Sequence, residues 1–195
     1  MILNAPNILT LIRLAFIPLL VLAFFWQSPW HPVIVTGIFF LAGITDWFDG
    51  YLARRLQQMS RFGAFMDPVA DKLIVVVALV LLVASDQIRT AVFDGRIFTV
   101  VILIIIGREV AVSALREWMA ELGQRANVRV SHIGKWKTGT QMLAIGFLLY
   151  GKPLWNLPIV PIGEILLYIS AVLTLWSMMI YLLAAWPALS STHEK

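Results

Sequence analysis

The chain has 195 residues, 60% of them apolar and 13% charged, with a mean hydropathy of +0.85. A soluble domain carries about 25% charged residues, so this composition excludes a disordered chain and argues against a water-soluble globule. There is no Cys, which excludes disulfides, a thiol nucleophile, thiolate metal sites and iron–sulfur clusters. The net charge of +4 reads as an excess of Lys and Arg on the cytoplasmic side of a membrane protein, with no nucleic acid needed to explain it.

Six apolar segments follow in chain order, and a bilayer-spanning helix needs about 20 residues. The first runs from Ile8 to Trp26, with Asn7 as its expected cap after Pro6 and Pro18 as an expected kink. It lacks the basic start and small-residue cleavage site of a signal peptide. Ser28-Pro29 and His31-Pro32 form a tight connection to the second segment, Val33 to Leu56. The third runs from Asp67 to Ala84, the fourth from Ile97 to Leu122, the fifth from Ile133 to Tyr150, and the sixth from Pro161 to Trp186, closed by Pro187. Continuous apolar runs without alternation predict helices rather than barrel strands. The expected fold is all-α, an integral membrane protein of six transmembrane helices in one domain over residues 1–195, with no internal repeat.

The basic residues set the orientation. Twelve of the fifteen, Arg13, Arg54, Arg55, Arg61, Lys72, Arg108, Arg116, Arg125, Arg129, Lys135, Lys137 and Lys195, are assigned to the side that holds the N-terminus, the loops after the second and fourth segments and the C-terminus, and only Arg89, Arg96 and Lys152 to the other side. Both termini are therefore expected in the cytoplasm. Trp26, Trp30, Trp155 and Trp186 stand near span ends, where interfacial aromatic residues collect.

Four aspartates interrupt this apolar pattern. Asp46 and Asp49 lie in the second segment and Asp67 and Asp71 in the third, where a central Asp costs about 2.5–3.5 kcal/mol to insert. At about 100° per residue, Asp46, Asp49, Gly50 and Ala53 share one face. Gly63, Asp67 and Asp71 share another if the third helix starts early enough. Pro68 leaves this open, because it fits either the first helical position after an Asp67 cap or the interior of a longer helix. A short connection makes the two helices antiparallel neighbours, so the four carboxylates are expected to converge near the cytoplasmic surface.

Converging carboxylates repel unless cations lie between them. An all-oxygen donor set favours Mg²⁺ or Mn²⁺, and two such ions suit an in-line phosphoryl displacement. Gly50 and Ala53 leave room for a bulky ligand, and Arg54 and Arg55 stand near to neutralise phosphate. Pairing with Arg54, Arg55, Arg61 or Lys72 would explain any one aspartate. Four on shared faces beside small residues point to a ligand instead.

The pattern reads Asp46-x2-Asp49-Gly50-x2-Ala53-Arg54-x8-Gly63-x3-Asp67-x3-Asp71. It resembles the signature of the CDP-alcohol phosphatidyltransferase family at every fixed position. The resemblance extends over essentially the whole chain, through Asn7 to Arg13, Gly107-Arg108-Glu109, Leu115 to Gly123, and Gly134-Lys135-Trp136-Lys137-Thr138. It is strongest to the bacterial branch whose acceptor is sn-glycerol 3-phosphate.

The resemblance implies a homodimeric six-helix fold in the cytoplasmic (inner) membrane, with a polar cavity open to the cytoplasm. It implies two divalent cations, Mg²⁺ or Mn²⁺, held by Asp46, Asp49, Asp67 and Asp71, with Asp71 also acting as general base. Gly50, Ala53, Arg54 and Gly63 would line the CDP-diacylglycerol site. The implied reaction moves the phosphatidyl group from CDP-diacylglycerol to the 1-hydroxyl of sn-glycerol 3-phosphate, releasing CMP. Direct displacement is expected, since there is no Cys, His31 falls on the opposite side and only His132 is near.

A dianionic acceptor needs a basic pocket, and Arg108, Arg116, Lys135 and Lys137 are the candidates. Arg108 lies deep in the fourth segment, and a buried Arg needs a partner, either Glu109 or phosphate. Arg125 and Arg129 read as loop or membrane-lipid contacts. Other acceptors, giving cardiolipin, phosphatidylserine or phosphatidylinositol phosphate, are the near alternatives. A prenyltransferase is disfavoured because its Asp motifs lie far apart in sequence. A divalent-cation transporter would leave the cytoplasmic Arg and Lys cluster unexplained.

Overall fold

The computed structural model describes residues 5–56, 61–121 and 132–190, with side chains at 11–45, 69–70, 72–115, 117–119, 137–183 and 186. Among the described residues seven helices follow one another: α1 (Ala5–Phe25), α2 (His31–Leu56), α3 (Arg61–Ala84), α4 (Asp86–Ala91), α5 (Gly95–Glu121), α6 (His132–Tyr150) and α7 (Ile159–Ser190). Among the described residues there is no strand beyond an isolated bridge between Leu154 and Leu157.

The six long helices are the six apolar segments, and their ends differ from expectation for local reasons. α1 is already helical at Ala5, ahead of Asn7, and includes Pro6. Pro18 lies inside α1 without ending it. α2 takes Pro32 into its first turn, where its missing N–H costs nothing. α3 begins at Arg61, so Pro68 is interior and Asp67 is not a cap. α5 begins at Gly95 because Asp94 Oδ1 accepts from the backbone N–H groups of Arg96 at 2.7 Å and Ile97 at 3.2 Å. α7 continues through Pro187 to Ser190, so that proline does not close it. The short α4 carries no apolar period to announce it. It is capped by Ser85, whose Oγ accepts from Ile88 N at 3.3 Å.

α1 packs against α2 and α3, α6 against α7 and α2, and α5 against α7 and α3. Each long helix gives fully buried residues to one core, among them Leu20, Phe39, Leu79, Leu82, Phe98, Ile102, Ile145, Leu148 and Leu167. The α1–α2 turn, α4 and the α6–α7 loop share one end of the bundle. There Gln87 Nε2 donates to Gly151 O at 3.4 Å, and Gly151 closes α6 at φ 63°, a conformation glycine adopts without strain. The N-terminal half of α1, the C-terminal halves of α2 and α5, and the N-terminal halves of α3 and α6 lie toward the opposite end.

The outside of the bundle carries many large apolar side chains. Residues 95–119 of α5 and 159–183 of α7 are each long and apolar enough to cross a bilayer, and shorter apolar stretches occupy 11–25, 31–45 and 72–84. Leu103 and Val110 on α5 are each 62% exposed, and Val172 and Leu183 on α7 are 66% and 73% exposed. Soluble monomers rarely expose contiguous apolar patches beyond a few hundred Å². This surface matches lipid contact, with the core formed where helices meet each other.

Candidate active site

Two helices carry the predicted acidic signature. Asp46, Asp49, Gly50, Ala53 and Arg54 lie in the C-terminal half of α2, and Gly63, Asp67 and Asp71 lie in the N-terminal half of α3. Because α3 is continuous from Arg61, Gly63, Asp67 and Asp71 are successive i, i+4 positions on one face. α2 and α3 are in contact, so the backbone brings both motifs to the same end of the bundle. The side chains of all eight signature residues, and with them the convergence of the four carboxylates, lie outside the described residues. An all-carboxylate donor set on two touching helices fits hard divalent cations. Among the described residues, no three His, Asp or Glu side chains gather.

α1 lies against both of these helices, and it contributes Arg13, only 1% exposed. The sequence reading counted Arg13 with the positive charges of the cytoplasmic side. The structure places it inside the bundle, in the half of α1 nearer the aspartate end. The signal was present in the sequence, since Arg13 has apolar residues on either side within one span, and ionisable residues inside spans are functional by default.

A second polar cluster ties α5, α6 and α7 together. Arg108 and Lys137 are each 7% exposed. Arg108 Nη1 and Lys137 Nζ both donate to the same atom, Glu109 Oε1, each at 2.8 Å, and Arg108 Nη2 donates to Ser177 Oγ. These are charge-assisted bonds; Arg108–Glu109 lies within α5, while Lys137–Glu109 and Arg108–Ser177 join α5 to α6 and to α7. Among the described side chains, these two cations and one carboxylate carry a single net positive charge. Arg108 Nε is buried and has no hydrogen-bond partner among the described residues, a state that costs about 1–3 kcal/mol.

Of the four basic residues predicted to hold phosphate, the structure brings Arg108 and Lys137 together. Arg116 of α5 and Lys135 of α6 have side chains outside the described residues. Sequence reasoning had left Glu109 and phosphate open as partners for Arg108. Glu109 is the partner found, and it serves Lys137 as well.

The opposite end of the bundle has polar groups with structural partners. His31 Nε2 lies 2.8 Å from Phe24 O, which places this ring at the far end from the aspartates, as expected. Glu164, 5% exposed, accepts from the Phe93 backbone N–H at 3.0 and 3.2 Å and from Tyr168 Oη at 2.7 Å. A cavity of about 500 Å³ lies at this end too, beside Trp26, His31, Gln87, Tyr150 and Lys152.

Long helices with exposed apolar faces around buried, ion-paired polar groups fit an all-helical membrane protein. Residues 3–176 match the family model of CDP-alcohol phosphatidyltransferases, and the chain belongs to that family. It is 50% identical over 182 residues to a protein of Haemophilus influenzae named CDP-diacylglycerol–glycerol-3-phosphate 3-phosphatidyltransferase, a match covering 93% of each chain. It is 48% identical to proteins of the same name from Salmonella choleraesuis and Shigella flexneri, covering 93% of this chain and 94% of theirs.

Proposed function

We propose that this chain transfers the phosphatidyl group of CDP-diacylglycerol to the 1-hydroxyl of sn-glycerol 3-phosphate, giving phosphatidylglycerophosphate and CMP. The observation that carries this reading is the 48–50% identity to proteins bearing that activity in their names, over 93% of the chain. The intact signature on α2 and α3 and the cationic cluster at Glu109 support it.

Asp46, Asp49, Asp67 and Asp71 would hold two divalent cations, Mg²⁺ or Mn²⁺. When bound, these ions neutralise the diphosphate and make CMP a better leaving group. Gly50, Ala53 and Gly63 leave space for the nucleotide, and Arg54 pairs with phosphate. The acceptor hydroxyl attacks the phosphorus next to diacylglycerol. An O–P bond forms, the bond to the CMP oxygen breaks, and Asp71 takes the hydroxyl proton. Arg108, Arg116, Lys135 and Lys137 hold the phosphate of the acceptor so that its hydroxyl is in line. Positioning and charge stabilisation supply most of the acceleration.

The same reading gives one domain of six spans in the bacterial cytoplasmic membrane, assembled as a homodimer. The aspartate end, which has most of the basic residues, faces the cytoplasm with a polar cavity. The test is CMP release from CDP-diacylglycerol by the purified protein, with a series of alcohols as acceptors. Glycerol 3-phosphate is expected to be used far better than serine, inositol phosphate or phosphatidylglycerol. Preference for any of those would overturn the acceptor assignment.

A further inference from the structure

Glu109 is the hub of the α5–α6–α7 cluster and has no role in the reaction described above. Its Oε1 takes both Arg108 Nη1 and Lys137 Nζ at 2.8 Å. The two nitrogens can therefore be no farther apart than twice that distance, although one belongs to α5 and the other to α6. Two buried cations so close repel each other strongly without a counter-ion. Nearly all of both side chains is removed from solvent, so water cannot do the screening.

We infer that Glu109 is a positioning residue. It holds the Arg108 guanidinium and the Lys137 ammonium side by side as a preformed cradle for the phosphate of the acceptor. This rests on the reading that Arg108 and Lys137 bind that phosphate. Three features support it. Arg108, Lys137 and Glu109 together carry one net positive charge. Arg108 is anchored from its other side by Ser177 Oγ, so its plane is fixed by two helices. Arg108 also has a buried Nε donor with no partner among the described residues, so the cluster has hydrogen-bonding capacity that Glu109 and Ser177 do not use.

A competing effect has the opposite sign. Removing the carboxylate raises the net charge of the cluster, which by itself would draw a dianion more strongly. In a buried site the loss of alignment outweighs this gain, because ammonium and guanidinium then separate or shed charge rather than remain adjacent. The direction of the change in KM therefore decides between the two.

The experiment is a double-mutant cycle on the full-length enzyme, using Glu109→Gln, Lys137→Met and the double variant, with Glu109→Asp as the conservative change. Lys137→Met is expected to raise the KM for glycerol 3-phosphate about tenfold, the equivalent of about 1.4 kcal/mol. Glu109→Gln should raise it by a similar factor and change the KM for CDP-diacylglycerol far less. The double variant should lose less than the product of the two single effects, because Glu109 acts in part through Lys137. Glu109→Asp should recover part of the loss. A lowered KM in Glu109→Gln, independent multiplying effects, or equal changes for both substrates would each overturn the inference. If Glu109→Gln does not fold, Glu109→Asp carries the test on the same two constants, and an unchanged acceptor KM overturns the inference. If Lys137→Met itself leaves the acceptor KM unchanged, the phosphate-binding reading fails first and the positioning role falls with it.

Discussion

Gly146 of α6 lies under the ring of Phe40 of α2, so closely that a methyl group at residue 146 would overlap ring atoms Cζ and Cε2. One helical turn along the same seam the roles reverse, and Gly43 of α2 faces the end of the Met142 side chain of α6. The two helices approach through one glycine from each. This contact joins the helix carrying Asp46 and Asp49 to the helix carrying Lys137. Gly146→Ala is expected to destabilise the protein by about 1–3 kcal/mol through overpacking, despite the better helix propensity of Ala. Gly37→Ala, where nothing lies within 4 Å of an added Cβ, should instead gain up to about 1 kcal/mol. Thermal unfolding in detergent checks both, and equal shifts of the same sign would refute the packing account.

Asp71→Asn should abolish turnover while leaving binding of CDP-diacylglycerol in the presence of Mg²⁺ largely intact. The amide keeps an oxygen donor but cannot accept the hydroxyl proton at neutral pH. A loss of about 10²–10⁴-fold in kcat is the expected size for removing a general base. Chelation of divalent ions should abolish activity of the parent protein, and added Mg²⁺ or Mn²⁺ should restore it. Normal turnover by Asp71→Asn would remove Asp71 from the role of base.

The legible part of this molecule lay in patterns with large energetic consequences. Long apolar runs gave the six long helices, because leaving backbone groups unpaired in hydrocarbon costs several kcal/mol each. The carboxylate spacing gave the candidate site, because four acids within two apolar segments demand compensation. The helix ends were less legible. α3 begins six residues before Asp67, since a proline tolerated inside a membrane helix looks the same in sequence as one that opens it. α4 depends on one Ser85 cap, too slight a signal beside its neighbours. Glu109 was visible as one candidate partner for Arg108. Its bond to Lys137 joins residues of two helices 28 positions apart in the chain, and local spacing has no access to such a pairing. The burial of Arg13 follows from the packing of α1 against α2 and α3 in the same way.

Asp94 caps α5 on the end of the bundle opposite the aspartate signature. Backbone N–H groups of Ile97 and Arg96 hold its carboxyl below the ordinary carboxylate value. A folded-state pKa below the unfolded one means that the charged form stabilises the fold. That contribution is complete above the unfolded value of about 3.9 and is lost as pH falls through the lower folded value. The acid limb of stability against pH should therefore be shallower in Asp94→Asn, which still caps the helix but does not titrate. Asp94→Ala should lower Tm at pH 7, where Asp94→Asn should nearly preserve it. An acid limb unchanged in Asp94→Asn would show that this carboxyl does not contribute.

Glu164 gives a prediction that separates fold from catalysis. Its buried carboxylate satisfies the Phe93 backbone N–H and the Tyr168 hydroxyl at once, fastening the segment between α4 and α5 onto α7. Glu164→Ala leaves both donors without their acceptor, which costs about 1–3 kcal/mol for each one left buried and unpaired. Glu164→Gln retains one carbonyl oxygen and should lose less. The site at the other end of the bundle is untouched by either change. The expected outcome is a clear drop in Tm for Glu164→Ala, a smaller one for Glu164→Gln, and KM values for both substrates within about twofold of the parent for the folded fraction. A selective loss of kcat with Tm unchanged would instead tie this end of the bundle to the reaction.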